Sequence, residues 1–245
     1  TMEEGQVYFN TQVWSVLSGA ASAEQARLAM KAVKEKLATP YGLMRCAPPF
    51  RKAPSSIMSA VIYNFGIKEN GGIFNHTQGW GVMAETLMGN GDLAFEYCKA
   101  SLPASYNDRA EIRQSEPYAV GQTTYSTCSP RAGNTRVSWL SGAATWNYYS
   151  VTQYILGIRP QYDGLLIDPC LPSKWDGFKA ERRWRGMNLF IEVKNPGHIC
   201  KGIESLEVDG KKLDSAVIPL SALKDGSRIT AVMGANALPA GWERL

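Results

Sequence analysis

At 245 residues, 44% hydrophobic and 20% charged, the chain has the composition of a folded domain with enough length for one large core, not that of a disordered polymer. The net charge of +4 comes from scattered Lys and Arg with no basic block, which argues against nucleic acid, and no apolar run reaches the length of a membrane span. Five cysteines (Cys46, Cys98, Cys128, Cys170, Cys200) are odd in number and lack C-x-x-C spacing, so they read as thiols of a reducing, cytoplasmic compartment and not as a disulfide frame or zinc site.

In chain order, Asn10 or Thr11 is placed to cap a short helix that runs through Leu17 and ends at Gly19. Ser22-Ala-Glu-Gln25 is a capping-box pattern, and Ala26, Met30, Val33 and Leu37 recur at helical spacing until Thr39-Pro40-Tyr41-Gly42 stops them. A loop rich in Pro and basic residues follows (Pro48, Pro49, Arg51, Lys52, Pro54). Next comes the densest polar stretch of the chain, Lys-Glu-Asn-Gly-Gly-Ile-Phe-Asn-His-Thr-Gln-Gly-Trp from Lys68 to Trp80. It predicts a ligand-presenting loop at the head of a helix that continues to about Leu87. Gly89-Asn90-Gly91 turns the chain into another helix through Ala100. Ser101 to Arg136 has few periodic signals, and Trp139 to Leu156 reads as an aromatic-rich helix.

After Pro160 the period changes. Gly164–Ile167, Phe178–Trp184 and Leu189–Val193 have strand character, Asp209-Gly210 marks a hairpin, and Ser227–Val232 reads as a last strand. The residues alone therefore predict helix pairs over 1–160 and a β-sheet domain over 161–245, in blocks and not alternating.

Three groups carry candidate chemistry. His76 sits among amides, where the bland alternative is a structural histidine; His198, in an Asn-Pro-Gly turn, reads as a surface residue. Ser138-Trp-Leu-Ser-Gly142 offers a hydroxyl and a glycine at a helix start, which suits an oxyanion as well as it suits a plain N-cap. Gln114-Ser-Glu116-Pro-Tyr118 and Gln122, with Trp80, Trp139 and Trp146, supply aromatic planes and polar partners for sugar rings, although Trp146 could serve packing alone. No spacing of His, Cys or carboxylates suggests a metal, and no Gly-rich phosphate loop or serine nucleophile elbow is present.

The blocks Tyr63…Lys68-Glu-Asn-Gly-Gly-Ile-Phe-Asn-His76, Tyr106-Asn-Asp-Arg109…Gln114-Ser-Glu-Pro-Tyr118, Trp139-Leu-Ser-Gly142-Ala-Ala-Thr-Trp146 and Tyr154-Ile-Leu-Gly-Ile-Arg-Pro160…Ile167-Asp-Pro-Cys170 resemble the C-terminal part of the inverting disaccharide phosphorylases of glycoside hydrolase family 94. The resemblance implies the last helices of an (α/α)6 barrel followed by a small β-sandwich-like tail. It implies phosphorolysis of cellobiose to α-glucose 1-phosphate and glucose with inversion, with chitobiose, cellodextrin, laminaribiose or cellobionic acid as alternative substrates. By that similarity His76, Ser141 and Gly142 bind phosphate, Ser141 standing where the family usually has Thr. Tyr63, Lys68 and Glu69 hold the acceptor sugar, and Gln122 lies near donor sugar and phosphate. No cofactor is implied, phosphate being a substrate. The family's general acid, an aspartate, is expected upstream of Thr1, so the chain reads as the C-terminal part of a longer, homodimeric enzyme. A non-catalytic sugar-binding module, showing sugar affinity without phosphate dependence, is the reading from a different class. A structural half that only completes a barrel with a partner chain is another.

Overall fold

The computed structural model describes residues 3–56, 59–139 and 142–239. By internal contacts these fall into two units, one of residues 3–84 and 96–150, the other of residues 85–95 and 151–239.

In the first unit, β1 (Val7–Tyr8) leads directly into α1 (Phe9–Leu17), whose Phe9, Val13 and Val16 line one buried face. No side chain caps α1, because the helix starts one residue before Asn10; Thr11 Oγ donates back to Tyr8 O at 2.9 Å. Ser22 does cap α2 (Ala23–Ala32): its Oγ accepts from Gln25 N at 3.3 Å and its N–H donates to Gln25 Oε1 at 2.9 Å. The apolar stripe Ala26, Met30, Val33, Leu37 is buried as its spacing predicts, but its last residues form a π turn, Val33–Leu37. β2 (Ala38–Thr39) and β3 (Gly42–Leu43) make a hairpin at Pro40-Tyr41, and β4 (Cys46–Ala47) pairs with β1.

β5 (Ile73–Phe74) runs into α3 (Asn75–Leu87), and α4 (Gly91–Ser101) follows. The stretch that gave few periodic signals contains a 3-10 segment Pro103–Arg109, the short α5 (Ala110–Arg113), and the two-residue strands β6 (Thr123–Thr124) and β7 (Thr135–Arg136). β5, β6 and β7 form one antiparallel sheet. The aromatic-rich helix is α6 (Ala143–Ser150), continued by a π turn to Ile155.

In the second unit, β8 (Ile158–Pro160), β9 (Gly164–Ile167) and a later strand, β14 (Val217–Pro219), make a three-stranded sheet. A five-stranded sheet has the order β10-β11-β15-β12-β13, from β10 (Gly177–Trp184), β11 (Met187–Lys194), β12 (Ile203–Val208), β13 (Lys211–Leu213) and β15 (Arg228–Met233). Leu189, Ile191 and Val193 alternate inward, and the Asp209-Gly210 hairpin forms where the dipeptide predicts it, with Val208 opposite Lys211.

The expected fold class needs correction. Helices of an (α/α)6 barrel followed by a β-sandwich-like tail are not what the chain forms; it is mixed α/β, with six α-helices and fifteen strands in five sheets among the described residues. Seven of those strands lie before residue 137, inside the stretch read as helix pairs. Each is two residues long, too short for any alternation of polar and apolar residues to show in sequence.

Candidate functional site

The sheet β5-β6-β7 organises the candidate residues of the first unit. Phe74 lies opposite Thr123, and Thr123 opposite Arg136. One further rung continues past the strand ends: Asn75 N–H donates to Gln122 O at 3.0 Å, and Gln122 N–H to Val137 O at 3.0 Å. His76, Gln122 and Ser138 thus leave one end of the same small sheet. Buried Asn75 fastens that end, its Nδ2 donating to Gly121 O at 2.9 Å and its Oδ1 accepting from Thr124 Oγ at 3.2 Å. Three loops remote in sequence meet there because a buried amide must find partners.

The half-buried His76 stacks edge-on against Phe74 and Trp80, both at 5.5 Å between ring centroids. Burial, and then the charge of Arg45, push its imidazole below the usual 6.5, so it is neutral at neutral pH in the free protein. Trp80 contacts Trp14 at 5.4 Å and Trp146 at 5.7 Å, and its buried Nε1 has no partner among the described residues. Trp146 therefore packs, as its bland reading held. Gly79 permits the close approach of α3 and α6: a Cβ there would lie 2.7 Å from Trp146 O.

Of the three expected phosphate ligands, Ser141 lies outside the described residues. Gly142 is exposed at the head of α6, its C=O accepting Trp146 N–H at 3.1 Å, and a Cβ there would touch only Trp146 Cδ1, at 3.9 Å. The approach to it is strained, Val137 at φ +57° and Trp139 at φ +67° in a region that β-branched and bulky residues avoid. Glu116 braces that approach. Its own N–H, Ser138 and the Trp139 side chain all bond its carboxylate and hold it below the ordinary glutamate range. Exposed Tyr118 stacks on Trp139 at 5.8 Å.

The expected acceptor residues form a second cluster. Lys68 Nζ lies 5.5 Å over the Tyr63 ring, with Lys68 itself at φ +48°. Asn70, fully buried, ties this loop together by donating to Tyr63 O and Phe50 O, each at 2.9 Å, and accepting Phe50 N–H at 2.6 Å. Glu69 keeps one buried carboxylate oxygen without a partner among the described residues, an acceptor suited to a hydroxyl. Gly72, whose Cβ would meet Lys68 N at 2.2 Å, lets the loop close this tightly.

Sequence reasoning missed Arg45, the cation that acts on His76, since Met44-Arg45-Cys46 belongs to no motif and only the fold brings it near. His198 is exposed, with Nδ1 3.0 Å from Ser173 O. Among the described residues no cluster of three His, Cys, Asp or Glu could hold a metal ion, and no helix is long and apolar enough to cross a membrane.

The catalytic domain of the Glycosyl hydrolase 94 superfamily matches residues 1–157. The chain is 38% identical to an N,N'-diacetylchitobiose phosphorylase of Vibrio proteolyticus over 95% of its length, and 34% identical to a solabiose phosphorylase of Paenibacillus borealis over 90%. A cellobionic acid phosphorylase of Neurospora crassa is 30% identical over 78% of the chain and is itself covered to 25%. The chain spans 29% of the length of each of the first two relatives. A solved sialidase superposes with a TM-score of 0.46 at 17% identity, over 89% of this chain and 18% of the other. With a catalytic-domain match from residue 1 to 157 and extended identity beyond it, the chain belongs to the glycosyl hydrolase 94 superfamily.

Proposed function

We propose that the protein carrying this chain is a disaccharide phosphorylase. A phosphate oxygen attacks the anomeric carbon, the glycosidic C–O bond breaks with inversion, and the leaving sugar oxygen takes a proton. His76, Ser141 and Gly142 take the phosphate role, Tyr63, Lys68 and Glu69 the acceptor-sugar role, and Gln122 stands near donor sugar and phosphate. The observation that carries the reading is the shared end of the β5-β6-β7 sheet, from which His76, Gln122 and the segment toward Gly142 all emerge. The exposure of Gly142 at the head of α6 and the unpartnered oxygen of Glu69 support it.

The substrate reading moves away from cellobiose. The relatives are named for chitobiose, solabiose and cellobionic acid, which favours another β-linked disaccharide, with N,N'-diacetylchitobiose first. The proton for the leaving oxygen needs a separate donor. Asp92 accepts both N–H and Oγ–H of Ser173, Asp168 pairs with Arg159 and Lys201, and Asp108 pairs with Arg109, so these carboxylates have other work.

The test is to supply the whole protein that carries this chain with phosphate and, in turn, each of these sugars and cellobiose, and to assay sugar 1-phosphate. Cleavage that depends on phosphate is expected, faster for one of the others than for cellobiose; hydrolysis without phosphate, or no product from any, sinks the proposal. In the same assay His76→Ala should raise the phosphate KM more than the sugar KM, by the about 1.5–3 kcal/mol of a charge-assisted contact.

A further inference from the structure

Arg45, in the link between β3 and β4, is fixed at both backbone ends: its N–H donates to Gly72 O and its C=O accepts from Phe9 N–H, each at 2.8 Å. From this anchored position its guanidinium lies 5.7 Å from the centroid of Phe74, and the same ring meets the His76 imidazole edge-on at 5.5 Å. Two groups able to carry positive charge thus flank one phenyl ring. Among the described residues the guanidinium makes no ion pair and no hydrogen bond. The rings around His76, Phe74 and Trp80, are uncharged, so Arg45 is the charge the imidazole feels.

A half-buried guanidinium with five donors and no acceptor, beside an imidazole whose protonation it opposes, is suited to an anion. An anion bound by both would satisfy the donors of Arg45 and reverse the field at His76. We propose that Arg45 is a second cationic contact for the phosphate bound by His76, supplying the permanent charge while His76 takes up a proton as the anion arrives. The proposal rests on the phosphate role given to His76 above. A guanidinium suits this place better than an ammonium, because it can lie flat on Phe74 and still present donors at its edge.

The experiment titrates inorganic phosphate into the protein carrying this chain, as wild type, Arg45→Met, Arg45→Lys and His76→Ala. It measures the KM for phosphate and for disaccharide and the titration midpoint of His76 by NMR. Arg45→Met is expected to raise the phosphate KM about 10- to 100-fold and to move the disaccharide KM by less than about 2-fold, with partial recovery in Arg45→Lys. The His76 midpoint, measured without phosphate, should rise in Arg45→Met because the repelling charge is gone. Should Arg45→Met fail to fold, Arg45→Gln removes the charge and keeps hydrogen-bond donors, and the same outcomes apply. An unchanged phosphate KM, or equal changes in both KM values, overturns the assignment. If His76→Ala raises the phosphate KM and Arg45→Met does not, Arg45 alone is wrongly assigned; if neither does, the phosphate reading of the site falls as well.

Discussion

His76 is held as a weak base. Its ring is packed between Phe74 and Trp80, and burial together with Arg45 makes protonation costly. Without phosphate it should titrate below 6.5 by NMR, and adding inorganic phosphate should move the midpoint up; a midpoint above 6.5 in the free protein would contradict the packing argument. The sign for stability follows. With the folded value depressed, the unfolded chain takes the proton first, so the contribution of His76 is intact above 6.5 and is lost as pH falls through the folded value. Sequence reading could single out His76, Lys68 and Glu69 from local polar density. It had no means to find Arg45, because a lone cation between Met44 and Cys46 carries no periodic or motif signal.

Helix α3 owes its position to polar side chains in its first turn. Gln78 is fully buried and reaches from α3 to β3, accepting Leu43 N–H at 2.7 Å and donating to Leu43 O at 3.0 Å and Phe74 O at 2.9 Å. Gln78→Leu keeps the volume but strands the Leu43 N–H, at a cost of about 1–3 kcal/mol for that group alone. Denaturant unfolding should show that loss, and the phosphate KM should rise with it, since α3 carries His76. A variant as stable as wild type would mean that water replaces the amide. At this scale the capping box of α2 was legible because both partners lie within four residues, as was the Asp209-Gly210 turn. The start of α1 was not, for Tyr8 precedes it without a side-chain cap while Asn10 and Thr11 invited one.

For the whole molecule, the partners of three aspartates and the exposure of a fourth motivate a prediction, that these 245 residues by themselves do not complete a turnover. Asp92, Asp108 and Asp168 are engaged by Ser173, Arg109 and by Arg159 with Lys201, and Asp163 is exposed beside the exposed Tyr162. General acid catalysis contributes about 10²–10⁴ in rate, and three of these four carboxylates already have protein partners while the fourth is exposed. The purified chain given phosphate and N,N'-diacetylchitobiose should release no sugar 1-phosphate above background. Robust release from material shown by mass spectrometry to hold only these residues would require the acid to be found here, with Glu69 the first to test.

Of the polar stretch from Lys68 to Trp80 expected as a loop, Ile73–Phe74 is strand and residues 75–80 are helix. By itself the sequence determined what lies within reach of a few neighbours: the helical stripe Ala26, Met30, Val33, Leu37, the strands after Pro160 and the hairpin at Asp209-Gly210. Each is written in a local period or in paired residues close along the chain, where the backbone has few alternatives. Tertiary structure alone decided which of those pieces share a site. The rung from Asn75 to Gln122 to Val137 joins segments 47 and 15 residues apart, and Arg45 reaches His76 across 31. It also decided that residues 85–95, read as the end of one helix and the start of the next, group with residues 151–239. Such pairings are set by buried donors and acceptors finding partners across the fold, and two-residue strands leave no pattern from which to foresee them.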